Sequence, residues 1–145
     1  MRIALALTVL VALAGCSRAE PPPYKLDMPM KEIMGHVVDP AADMVWTAAG
    51  YEITEAGERE LFPTTDEGWL AVENGATIVA ESANLLMLPG RAPDDGEWMQ
   101  LAGRMADQAM AAKSAAMAKD KDKLFAAGGA LYESCVACHD KYVPK

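Results

Sequence analysis

Apolar side chains recur at steps of three and four residues along most of this chain, and few folds accommodate that pattern. The clearest run is Trp69, Val72, Ala76, Val79, Ala83 and Leu86. A second is Trp98, Leu101, Met105, Ala109, Ala112 and Ala116, and a third is Leu124, Gly128, Leu131, Cys135, Cys138 and Tyr142. Met30, Ile33, Val37, Met44 and Ala48 keep the period more loosely. Residues so spaced lie along one side of an α-helix. The spacing therefore predicts helices over residues 28–49, 65–88, 95–118 and 122–142, separated by Gly50, by Pro89-Gly90 and by the charged turn 120–123. Thr64 with Glu67 suits a capping box, and Asp94 with Glu97 a second cap. Pro40 lacks an N–H and crowds the carbonyl of His36, so a kink is expected in the first helix.

A helix with one apolar stripe must bury it against another element. Four such helices imply an all-α fold, an antiparallel four-helix bundle. Residues 51–63 read as a polar loop, and no strand pattern competes. The 145 residues suit one domain. They are 52% hydrophobic but only 6% aromatic, and the abundant Ala, Met and Leu favour helix. Gly128-Gly129 weakens the fourth helix, and two readings stay open: tolerated flexibility, or close approach of a neighbour.

The third apolar run ends in Cys135-Val136-Ala137-Cys138-His139. Cys-x-x-Cys-His is the spacing at which c-type haem is attached. On a helix, positions i and i+3 share a face, so both thiols can reach one porphyrin edge. His139 follows Cys138 directly and is placed to rise under the iron as an axial ligand. A zinc site would want four ligands, and His36 is the only other histidine. A redox dithiol would need an activated thiolate at Cys135 and a strand–helix setting. Haem attachment is the better reading.

The N-terminus reads as a targeting segment. Arg2 supplies the positive charge, and residues 3–14 form an apolar stretch too short to span a bilayer. Leu13-Ala14-Gly15-Cys16 resembles the lipobox of bacterial lipoproteins. That resemblance implies cleavage before Cys16, acylation of Cys16 and a periplasmic, lipid-anchored protein. Export is also what covalent haem attachment implies in bacteria. Residues 1–15 are thus the signal peptide, and residues 16–27 an acylated, Pro-rich tether. Within it Pro21-Pro22-Pro23 favours an extended spacer. Residues 28–145 form the helical domain. A formal net charge of −8 weighs against nucleic acid as a partner and suits docking to a basic one.

A Cys-x-x-Cys-His near the C-terminus, on the last of four helices, resembles the class II cytochromes c, the cytochrome c prime family. Residues 135–142 are similar to that family's C-terminal segment, and Lys31-Glu32-Ile33-Met34 more loosely to its distal segment. The resemblance implies one haem c, bound through Cys135 and Cys138, with iron ligated by His139. It implies Met34 as the candidate sixth ligand, with Met30 one turn earlier as the register alternative. His36 lies two residues further round the helix, so it and Met34 cannot both face the iron; a bis-histidine site is the alternative if the Pro40 kink rotates that turn, and a surface or edge position is the ordinary reading. Ten methionines are present, and a methionine on an apolar stripe is ordinarily core filler. Trp69 and Trp98 read as core. Arg91 and Arg104 are candidates for the propionates by charge alone.

In the family it resembles, the branch with a methionine on the iron carries single electrons, so a Met34 ligand implies an electron carrier rather than an enzyme. The family's other branch leaves the sixth position open and binds nitric oxide or carbon monoxide, so the resemblance also implies that alternative. A peroxidase would need an acid–base group on the distal side, and helix 28–49 offers no Arg/His pair. The redox partner is not written in the chain, and dimerisation is common among relatives of this type.

Overall fold

The computed structural model describes residues 24–143. They are mostly helical, with one small two-stranded sheet. The first helical stretch comprises α1 (Met30–Ile33), a π-helical segment (Met34–Val38) and α2 (Asp39–Trp46). A hairpin of β1 (Tyr51–Thr54) and β2 (Gly57–Glu60) follows, then α3 (Asp66–Leu86), α4 (Glu97–Met117) and α5 (Lys121–Tyr142).

The apolar stripes read from the sequence face the interior. All six residues of the α3 run and all six of the α4 run are buried. Neighbouring helices run antiparallel, as their end-to-end contacts show. Trp98 Nε1 at the start of α4 donates to Leu86 O at the end of α3, 2.9 Å. Lys119, just past α4, pairs with Asp66 at the start of α3, 2.7 Å. Tyr142 and Lys141 at the end of α5 reach Asp94 and Glu97 at the start of α4, 2.5 and 2.8 Å. Ile33 joins the buried cluster that contains Leu86, and Val45 the one that contains Trp69, so the first stretch also runs against α3. The result is a helical bundle with two apolar clusters, one at each end.

Three expectations need correction. Residues 51–63 are not simply a loop: Tyr51 pairs with Glu60 and Ile53 with Glu58 in an antiparallel hairpin. Every hairpin residue is exposed, so it lies outside the core. Secondly, the cap of α3 is Thr65, whose Oγ1 accepts the Gly68 N–H at 3.1 Å, not Thr64. At α4 the cap position is Gly96, but Asp94 Oδ1 still accepts the N–H groups of Gly96 and Trp98, 2.8 and 3.1 Å. Thirdly, the disturbance expected at Pro40 is a widened turn. The Asp39 N–H bonds back five residues to Met34 O. Pro40 has no N–H for the carbonyl of His36 and its ring crowds that oxygen; one extra residue in the turn before it relieves the conflict.

Gly50 ends the first stretch with φ +108°, a conformation other residues rarely adopt, and its carbonyl accepts the Leu61 N–H at 3.0 Å across the hairpin base. Gly75 has a different task. A Cβ there would lie 2.6 Å from Met44 Cβ and 2.7 Å from Ala41 O, so α2 crosses α3 at backbone contact. Gly128 is buried, and its carbonyl accepts Trp46 Nε1 at 3.0 Å. A Cβ there would meet only ordinary contacts at 3.7 Å, and at Gly129 it would meet nothing within 4 Å. Neither is forced to be glycine by a neighbouring helix.

Candidate functional site

The helices leave a cavity of about 670 Å³ between the first helical stretch and the start of α4 and end of α5. That volume falls within the range of cofactor and small-molecule sites, roughly 300–1,000 Å³. Its walls are mainly apolar. Leu86 closes one side from α3, and Trp98, Leu101, Ala102 and Met105 form the α4 wall. The π segment and α2 supply Met34, Gly35, Val38, Ala42 and Trp46. From α5 come Ser134, Cys135, Cys138 and His139.

The residues singled out by the motif therefore share one cavity. Cys135 and Cys138 are half-buried free thiols one helical turn apart. Burial pushes the Cys135 thiol up; a hydrogen bond with Ser134 opposes this, and the Asp39 carboxylate adds to it. Burial likewise raises Cys138, with Cys135 adding to the effect. A dithiol reductase needs the opposite shift, toward thiolate. Ser134 is buried and satisfied, its hydroxyl donating to Leu131 O at 2.6 Å.

Met34 lines the wall built by the π segment, and His139 the wall built by α5. Met30 packs against the surrounding apolar cluster but is not part of the lining. His36 is exposed, its Nε2 lying 3.0 Å from Glu32 one turn earlier, and it takes no part in the lining. Met34 and Val38, four residues apart on the π segment, share one wall, while His36 between them faces solvent. Arg91 donates to Leu85 O at 2.9 Å, and neither it nor Arg104 lines the cavity. Lys31 is a cationic side chain that does. Trp69 is core at the far end, whereas Trp98 is both core and cavity wall. Cys16 lies outside the described residues.

Sequence reasoning missed Trp46 and Tyr132. They form an edge-to-face pair at 5.9 Å, and both line the cavity. Trp46 ends α2 and Tyr132 stands midway along α5, off the apolar stripe, so the spacing of apolar residues carries no signal for the pair.

Apolar walls, two thiols and an imidazole contributed by α5, and a thioether contributed by the π segment make a donor set that fits a covalently held haem. Among the described residues, no three His, Cys, Asp or Glu side chains converge as a chelating group for a bare metal ion. No family model, no curated protein and no solved structure matches this chain. Among the described residues, no helix is long and apolar enough to cross a membrane.

Proposed function

We propose that this protein is an exported cytochrome of the class II type, holding one haem c covalently and passing single electrons. The carrying observation is that Cys135, Cys138, His139 and Met34 all line one cofactor-sized apolar cavity. When bound, the haem supplies an iron centre that gains and loses one electron. The thiols of Cys135 and Cys138 would form the two thioether links. His139 would ligate iron from the α5 side and Met34 from the π segment, and a thioether there raises the reduction potential. Leu86, Trp98, Leu101 and Met105 line the same space with apolar surface, which would shield the bound group from water. No group that makes or breaks substrate bonds is required.

The test is to produce the chain in cells able to attach haem c and ask whether haem stays on the denatured polypeptide. Retention, lost when Cys135 and Cys138 are both changed to Ala, supports the reading. A folded, exported protein with two titratable thiols and no bound haem sinks it.

The gas-binding reading has one specific observation in its favour. Gly35, next to Met34 in the cavity lining, carries no side chain, so that stretch of the distal wall is bounded by backbone alone. A high-spin ferric spectrum with ready carbon monoxide binding on reduction would select it over electron transfer. For the membrane link, Cys16 is proposed as the acylated residue: Cys16→Ala should release the exported protein from membranes.

A further inference from the structure

We infer that Tyr142 is a positioning residue for the axial histidine, its hydroxyl clamping the last turn of α5 to Asp94. This rests on the haem reading above. His139 stands in the final turn of α5, which ends at Tyr142. Terminal turns fray, because their last carbonyls lack helical partners. The His139 carbonyl has one through the Val143 N–H, at 3.0 Å, and that bond lasts only while residues 139–143 stay wound. A histidine on a fraying turn would be a poorly aimed ligand.

Three contacts hold this turn, all to the start of α4. The Tyr142 hydroxyl donates to Asp94 Oδ2 at 2.5 Å. Its ring packs edge-to-face on Trp98, centroids 4.9 Å apart. Lys141 pairs with Glu97 at 2.8 Å, but both side chains are about half exposed, and such pairs contribute little. The first contact is the better anchored. Asp94 is itself fixed, its other oxygen accepting from Gly96 and Trp98 N–H. Trp98 is fixed in turn by its bond to Leu86 O, 2.9 Å, and forms part of the cavity wall. Tyr142 therefore ties the turn that carries His139 to a wall of the same cavity. A hydrogen bond to a charged acceptor is stronger than a neutral one and directional, so it fixes the rotation of the turn as well as its position.

The experiment uses the haem-loaded full chain. Tyr142→Phe keeps the ring on Trp98 and removes only the hydroxyl. Exchange of the Val143 amide should quicken about fivefold or more, the factor an ordinary net hydrogen bond carries. The reduction potential and the ferric absorption bands should shift with it. Asp94→Asn leaves its one oxygen to the Gly96 and Trp98 N–H groups and turns an NH2 toward the Tyr142 hydroxyl, so it should move all three readouts in the same direction as Tyr142→Phe. Faster exchange with an unchanged potential and spectrum would make Tyr142 merely structural and overturn the proposal, as would no change in any readout. A wild-type protein without covalent haem would overturn the haem reading itself, and the clamp's role with it. A haem-bearing protein indifferent to Tyr142→Phe overturns the clamp alone.

Discussion

Met34 and His36 stand two residues apart, yet Met34 lines the cavity and His36 pairs with Glu32 in solvent. Sulfur and packing can be separated at Met34 because leucine nearly matches its volume. Met34→Leu should change stability by less than about 1.5 kcal/mol. It should nonetheless turn a low-spin ferric spectrum high-spin, read by absorption of the purified holoprotein; an unchanged low-spin spectrum removes Met34 as ligand. Tyr142 offers a second residue-scale test. Its hydrogen bond to Asp94, then burial, pushes its phenol up to about 12, against 10.0 for the free group. Between those values the unfolded chain loses the proton while the folded one keeps it, so stability falls as pH rises through that window. Urea titrations should show this alkaline loss in wild type and a smaller one in Tyr142→Phe. The haem motif was legible because its chemistry lies in five adjacent residues. Asp94, the partner of Tyr142, was legible only as a cap, since nothing local to either residue announces a contact across 48 positions.

At the scale of elements, the crossing of α2 on α3 depends on Gly75. An added methyl would press on the Ala41 carbonyl, which is backbone and cannot swing aside. Gly75→Ala should therefore cost about 1–3 kcal/mol by chemical denaturation, although alanine is the better helix former. The hairpin is a contrasting case. It contacts the bundle through the Tyr51–Phe62 ring pair, centroids 5.8 Å apart, and through an exposed ion pair of Glu60 with Lys121. Replacing residues 51–60 with a short Gly/Ser linker should cost only about 1–2 kcal/mol and leave the helical content of the bundle intact by circular dichroism. The three long helices were legible because burial imposes their period on the sequence. The hairpin was not, because strands exposed on both faces need no apolar alternation. The π segment was half legible: Pro40 announces a disturbance, but whether it kinks or widens the turn depends on packing against α3.

Across the whole molecule, the two apolar clusters divide the work. One holds Val45, Phe62, Trp69, Val72, Leu124 and the alanines of late α4, close-packed at the hairpin end. The other, with Ile33, Val38, Leu86, Trp98 and Met105, surrounds the cavity. A cavity of about 670 Å³ means that the side chains around it lack protein neighbours over much of their surface, and those contacts are what make a core cohesive. None of the buried residues of the hairpin-end cluster lines this cavity or the shallower groove of about 490 Å³ beside Phe125 and Gly128. Stability should therefore be unevenly spread, and more so when nothing is covalently attached. In the double variant Cys135→Ala, Cys138→Ala, amide exchange should accelerate most in late α5, early α4 and the π segment. Early α3, late α4 and early α5 should keep most of their protection, since they share the other cluster. The size of the contrast measures how far the cavity end relies on its guest. Equal acceleration at both ends would mean one cooperative core, and the division into a self-sufficient end and a guest-dependent end would then be wrong.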